Sequence, residues 1–91
     1  MHPASLLPAV IDGLRDLATA LHLVFEQEYA EADALYAHAD TCWHDGDHAG
    51  YARLMQEHAR LLSCLDDLDA LYWAANRTAC DLAARLGERT P

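Results

Sequence analysis

The sequence predicts an all-α fold: a long antiparallel helical hairpin that dimerises into a four-helix bundle. Two observations lead to this prediction. Apolar residues recur every seven positions along both halves of the chain, and the one interior segment rich in turn-forming residues, residues 40–50, lies at the midpoint. A chain of 91 residues has room for one domain, so residues 1–91 are expected to form a single hairpin domain.

The first half of the chain carries three adjacent lines of mostly apolar residues, which is typical of a wide packed helix face. No proline interrupts residues 9–44, and Pro8 is tolerated in a first turn that follows the N-cap residue Ser5. We therefore expect one helix over about residues 5–44, with a break near residues 26–32 as the alternative. The first line is Leu7, Leu14, Leu21, Glu28, Leu35 and Cys42. The second line is Val10, Leu17, Val24, Glu31 and His38. The third line is Ile11, Ala18, Phe25, Ala32 and Ala39.

Gly46 lies at the centre of the predicted turn. Glycine readily adopts the left-handed conformation that ends many helices, so Gly46 is expected to end the first helix. Asp45 or Asp47 is expected to cap the second helix, because a carboxylate there accepts backbone N–H groups and complements the helix dipole.

The second half repeats the seven-residue pattern and predicts a helix over about residues 48–86, ended by Gly87. A separate short helix beginning at residues 76–78 is the alternative, although the period passes through these residues unchanged. The lines of this helix are Tyr51, His58, Leu65, Tyr72, Ala79 and Leu86; Leu54, Leu61, Leu68, Ala75 and Leu82; and Met55, Leu62, Asp69, Asn76 and Ala83.

Helix length leads to the predicted homodimer. Each helix is about 60 Å long at 1.5 Å per residue. A lone hairpin of that shape leaves much of its apolar stripe in water, whereas two hairpins packed face to face cover it. A different protein that supplies the missing helices is the alternative.

The composition indicates a protein partner. The chain is 53% hydrophobic and has a net charge of −9, with fifteen acidic residues, six arginines and no lysine. An acidic chain is repelled by nucleic-acid backbones and suits a partner with a basic surface. The sequence has no nucleophile–base motif and no glycine-rich phosphate loop. We expect a non-enzymatic protein-interaction module, a regulator or inhibitor, whose interaction surface consists of Trp43, Asp45, Asp47, Asp66, Asp67 and Trp73.

Six polar residues occupy otherwise apolar lines. Asp69 and Asn76 are two of them, and the other four are the candidates for a polar core: Glu28, Glu31, His38 and His58. One interpretation is a polar core whose charges pair across the hairpin and fix its register, for example Glu31 with Arg60. The other is a divalent-metal site formed between helices by two copies of Glu28, Glu31 and His58. The Glu-x-x-His motif of di-iron bundles is absent.

The turn offers a second metal hypothesis. Cysteine and histidine are ready zinc ligands, and two residues four positions apart share one helix face. His38 with Cys42 and His44 with His48 have this spacing, so the turn is a candidate divalent-metal site, with a solvated polar turn as the alternative. No other cofactor is expected.

The expected location is the cytoplasm. Cys42, Cys64 and Cys80 are odd in number and lack CxxC spacing, so we expect reduced thiols. No apolar run approaches about 18 residues, so no membrane span is expected. The N-terminus also lacks the basic region of a signal peptide.

The segment Trp43-His44-Asp45-Gly46 resembles the Trp-x-Gly turn of the small helical proteins of type VII secretion, with one more residue between tryptophan and glycine. The chain length and the central tryptophan are also similar. This resemblance implies a secreted helical hairpin that works as a dimer, an alternative to the cytoplasmic module.

Overall fold

A computed structural model describes residues 6–89 and has the predicted all-α helical hairpin. Helix α1 spans Leu7–His44 and helix α2 spans His48–Arg89, with residues 45–47 as the connecting turn. The helix breaks considered near residues 26–32 and 76–78 do not occur. The predicted N-cap, Ser5, lies outside the described residues.

The predicted end of α2 at Gly87 is wrong by about one turn, because the helix continues to Arg89. Gly87 does not take the left-handed conformation that would end a helix; among the described residues only Gly46 has a positive φ. A glycine within a helix costs only about 1 kcal/mol relative to alanine, so the helix runs through it.

The turn confirms the prediction for Gly46, which has φ of 77°. The Gly46 N–H donates to the carbonyl of Trp43 (3.2 Å), and the Asp47 N–H donates to the carbonyl of Cys42 (2.8 Å). These two hydrogen bonds form a Schellman motif, which satisfies carbonyls that the end of α1 would otherwise leave unpaired.

Of the two predicted caps for α2, the structure uses Asp47. The Asp47 carboxylate accepts a hydrogen bond from the Gly50 N–H at 2.9 Å, as an N-cap residue does for the third residue of a helix. The Tyr51 N–H donates to the Asp47 carbonyl at 3.0 Å, which is the first bond of the α2 ladder. Asp47 thus takes part both in the Schellman motif that ends α1 and in the cap that begins α2.

A narrow seam of small and large apolar residues joins the two helices. The third line of α1 supplies most of its α1 side, and five of the buried residues are alanines, which allow the helix backbones to approach closely. Near the turn, Ala39, Cys42 and Leu54 form a buried cluster. The buried apolar residues of the seam are Ile11, Ala18, Ala32, Ala39, Cys42, Leu54, Leu65, Ala75 and Ala79.

The predicted polar core is not formed within one hairpin. Glu31 and His38 are exposed, Glu28 and His58 are half-buried, and the described residues include no buried polar or charged side chain. The reason is geometric: Glu31 precedes Ala32, which faces α2, and consecutive helical residues point about 100° apart. The predicted Glu31–Arg60 ion pair is also missing from the described residues. Their histidine–carboxylate contacts are His22 with Glu26 (3.0 Å) and His44 with Asp40 (3.5 Å), which are ion pairs only when the histidine is protonated.

The hairpin is far from spherical, with extents of 69 × 17 × 15 Å and a radius of gyration of 20.3 Å. A compact domain of this length has a radius of gyration of about 12 Å. The chain exposes 6615 Å² of surface, whereas a compact monomer of its mass exposes about 5,300 Å². A single hairpin therefore leaves much more surface in water than a protein of this size ordinarily does.

Candidate interaction surfaces

Two long faces lie on opposite sides of the seam. On α1, Leu17 and His22 are five positions apart, so their side chains are separated by about 140° around the helix. Each marks a face that continues onto α2. The aliphatic face consists of Val10, Leu14, Leu17, Leu21, Val24 and Leu71. The aromatic face consists of His22, Phe25, Tyr29, Tyr36, Trp43, Leu62, Tyr72 and Trp73.

The aliphatic face is uncharged and lies towards the open end of the hairpin, away from the turn. Leu17 is 50% exposed and Leu71 is 56% exposed, although both are large apolar side chains. They belong to one groove between the helices, whose lining includes no charged residue. That lining is Leu14, Leu17, Leu21, Leu71, Ala74, Ala75 and Thr78.

Nearer the turn, the same side of the hairpin becomes polar. A second groove is lined there by Glu31, Leu35, Glu57, Arg60, Leu61 and Cys64. Glu31 and Arg60 are thus at the same height, as the sequence predicts, but they line the groove without forming an ion pair. The aliphatic surface is therefore confined to one half of this side.

The aromatic face follows a fourth line of α1, which is not among the three apolar lines. His22, Tyr29, Tyr36 and Trp43 succeed one another at seven-residue spacing along α1. Their periodicity is the signal that could have revealed the face, because it equals that of the apolar lines. Tyr36 is 56% exposed, and Trp73 on α2 is 58% exposed.

Ring contacts connect the aromatic face across the two helices. The Tyr36 and His58 rings lie 5.7 Å apart between centroids, and the His22 and Tyr72 rings lie 5.8 Å apart. At the turn, the Trp43 ring lies 5.0 Å from that of Tyr51. Aromatic pairs at such distances add stabilisation beyond that from buried area, so these ring contacts fix the orientations of the half-exposed side chains.

Each depression along the aromatic face contains a carboxylate. Asp69 lines the first with His22 and Trp73, and Asp66 joins Asp69 in the second, beside Tyr29. The third, near the turn, is lined by Tyr36, Ala39, Asp40, Trp43, Tyr51 and Met55.

The residues predicted to form one interaction surface separate into two groups. Trp43, Trp73 and Asp66 belong to the aromatic face. Asp67 follows Asp66 by one position and therefore points about 100° away from it. Asp45 and Asp47 have backbone roles in the turn, the first as the C-cap residue of α1 and the second as the cap of α2.

The predicted inter-helix metal residues do not converge in one hairpin. His58 packs against Tyr36 on the aromatic side, whereas Glu31 lines the groove on the other side of the seam. Glu28 is half-buried on α1. Across the described part of the chain, no three histidine, cysteine, aspartate or glutamate side chains form a group suited to a metal ion.

The turn residues proposed as metal ligands are likewise apart. The His44 side chain contacts Asp40, and the His48 ring lies 5.1 Å from that of Trp43. His38 is exposed. Burial of Cys42 in the seam, together with the nearby Asp47 carboxylate, raises the pKa of the Cys42 thiol. A raised pKa disfavours the thiolate that a metal would require.

The fold and its faces thus define a class: an all-α helical hairpin with two unlike exposed faces. Comparison with known proteins finds no matching family model, curated protein or solved structure. Neither described helix has the length and apolar character that crossing a membrane requires.

Proposed function

We propose that this protein is a homodimeric, non-enzymatic interaction module of the cytoplasm that regulates or inhibits a protein partner. The observation that carries the proposal is the pair of exposed apolar faces on one hairpin. The free thiols of Cys42, Cys64 and Cys80 suit a reducing compartment.

The surface area supports an obligate partner for the hairpin. The excess over a compact monomer is about 1,300 Å². A standard protein–protein interface removes roughly 800 Å² from each partner. The excess is therefore large enough for a stable interface, and its apolar part supplies the driving force.

The aliphatic face is the surface that suits a second copy of the same chain. In a two-fold dimer, the same patch meets itself, so any charge on the patch faces a like charge. The groove around Leu17 and Leu71 has no charged residue in its lining, so self-pairing there brings no like charges of the lining together. Two hairpins packed through this face form the four-helix bundle.

The aromatic face remains on the outside of such a dimer. Tyrosine and tryptophan are enriched where proteins bind one another, because they bury large areas with little loss of side-chain freedom. The carboxylates of Asp66 and Asp69 beside them suit a basic partner. The aromatic face is therefore the site for the regulated protein.

Light scattering at micromolar concentration tests the dimer. We expect about twice the chain mass of 10.1 kDa. A Leu17→Asp substitution places a charge in the dimer interface, so the measured mass should fall to that of one chain.

The matched control is Leu23→Asp. Leu23 is exposed, as Leu17 is, but it lies on the side of α1 that faces away from the seam. The control should keep the dimer mass. A wild-type mass of one chain, or equal masses for the two variants, would overturn the dimer through the aliphatic face.

A further inference from the structure

We propose that the aromatic face binds an arginine-bearing amphipathic helix of the partner protein. The inference rests on the proposed function and specifies the partner's chemistry. The bound helix lies along the hairpin, and its arginines occupy the depressions where aromatic rings and carboxylates adjoin.

The spacing of the face favours a helix as the bound element. Tyr29, Tyr36 and Trp43 follow one another at seven residues, or about 10.5 Å along α1. An α-helix that lies alongside presents its own side chains at the same interval, so several contacts form in one register. The aromatic face is elongated and shallow, which matches a helix laid against two others.

The chemistry of the depressions favours arginine. A guanidinium stacks on aromatic rings and donates two parallel hydrogen bonds to the oxygens of one carboxylate. Asp69 lies with His22 and Trp73, and Asp40 lies with Tyr36 and Trp43. An arginine can therefore stack on a ring and pair with a carboxylate at either end of the aromatic face.

The same charges disfavour a second copy of this chain at the aromatic face. Two copies meeting there would bring Asp66 and Asp69 close to their equivalents, and the net charge of −9 adds general repulsion. A basic helix gains from these charges instead. The lining of the aliphatic groove has no carboxylate to meet its equivalent, and this difference separates the two binding roles.

A titration with a synthetic peptide tests the inference. The probe is an amphipathic peptide of about three heptads, with leucines on one face, flanking arginines and no tryptophan. Trp43 and Trp73 are the only tryptophans of the protein and lie at opposite ends of the aromatic face, so their fluorescence reports occupancy. We expect a saturable change, and replacing the arginines by glutamine should weaken binding at least about tenfold.

Variants of the protein locate the binding site. Tyr29→Ala with Tyr36→Ala should weaken binding at least about tenfold, because central aromatic side chains dominate interface energies. Asp66→Asn with Asp69→Asn should weaken it about threefold to tenfold. The control is Asp16→Asn with Asp81→Asn, which changes net charge equally at exposed positions facing away from the seam. That control should stay within about twofold of the wild type.

Several outcomes overturn the inference: no saturable change, equal binding of the glutamine peptide, or equal weakening by the control pair. Loss of the dimer mass on Tyr29→Ala with Tyr36→Ala would assign the face to a second copy and overturn it too. If the peptide binds a chain that scatters as a monomer, this inference stands and the dimer fails. If a dimeric chain binds no peptide, this inference alone fails.

Discussion

The aliphatic and aromatic faces flank one seam, yet their chemistry differs throughout. The aliphatic face consists of leucine and valine around a groove lined by uncharged residues, whereas the aromatic face has a carboxylate in each depression. The exposed fraction of the side chains does not distinguish the two faces, since Leu71 and Tyr36 are both 56% exposed. Charge distinguishes them: an uncharged groove brings no like charges together when it meets its own copy, whereas a face whose charges are all acidic favours a partner of opposite sign.

The largest expected effect comes from charging the aliphatic face. Because a dimer obeys mass action, a hundredfold dilution of the wild type should lower its melting temperature by about 5–10 °C. Leu17→Asp should melt lower and lose this concentration dependence, as circular dichroism can measure. Leu62→Asp, on the aromatic face, should retain it. The comparison fails if Leu62→Asp removes the dependence and Leu17→Asp keeps it.

Truncating a leucine of the seam should destabilise the protein more than truncating a leucine of either face. Leu54 is 6% exposed in the cluster with Ala39 and Cys42, so Leu54→Ala should lower the free energy of unfolding by about 2–4 kcal/mol. Leu62→Ala is the same substitution on the same helix at a position 45% exposed, and it should cost less than about 1 kcal/mol. Urea titrations measure both. Equal costs would mean that a further chain buries Leu62.

Substitution of the acidic residues of the turn should affect stability, whereas substitution of those of the aromatic face should affect peptide binding. Asp47→Ala removes the hydrogen bond to the Gly50 N–H and should destabilise the protein by about 1 kcal/mol. Asp45→Ala leaves that cap in place and should stay within about 0.5 kcal/mol of the wild type. Neither change should alter peptide binding as much as Asp66→Asn with Asp69→Asn does. A stronger effect of Asp45 than of Asp47 on urea unfolding would contradict this assignment.

Cys42 should make stability fall in alkaline solution. Burial, and then the Asp47 carboxylate, raise the pKa of its thiol above the ordinary value of 9.0. The unfolded chain therefore loses this proton first, and the contribution is fully present below the ordinary value and lost as pH rises through the folded-state pKa. Cys42→Ala should flatten the decline of stability above pH 9 under reducing conditions. The exposed thiol of Cys64 supplies the control, and an equal flattening by Cys64→Ala would exclude Cys42 as the cause.

The smallest effect should come from metal removal. The metal-site hypotheses require Glu31 with His58, or His38 with Cys42 and the other turn histidines. The hairpin holds Glu31 and His58 on opposite sides of the seam. We expect a chelator to shift the melting temperature of purified, untagged protein by less than about 1 °C. A larger fall, restored by adding zinc, would indicate ligands shared between copies.

The sequence predicts the elements of this fold well because their signals are local. The turn at Gly46 and the cap at Asp47 follow from conformations that single residues prefer. The burial of each line was harder to predict, since all three lines of α1 have the same period. Two helices pressed together bury one narrow stripe, which is why Ala32 is in the seam while Glu31 beside it is exposed.

The aromatic face could not be predicted from hydrophobicity. Tyrosine, histidine and tryptophan contribute unevenly to an apolar pattern, so the line from His22 to Trp43 does not stand out beside leucine and alanine. Its acids come from α2 and from the end of α1, and only the antiparallel pairing brings Asp69 near His22. The candidate site therefore depends on tertiary contacts that sequence spacing within one helix does not contain.

The Schellman turn has a consequence for the order of folding. Closing a chain segment costs more entropy as the segment lengthens, so contacts beside the turn, such as Ala39 with Leu54, form most readily. We expect pairing of the two helices to extend outward from the turn, with the turns around Val10 and Leu82 pairing last. The open end is consequently where backbone amides of a lone hairpin exchange fastest with solvent. The aliphatic face lies at that end, so the proposed dimer would slow amide exchange most at the open end.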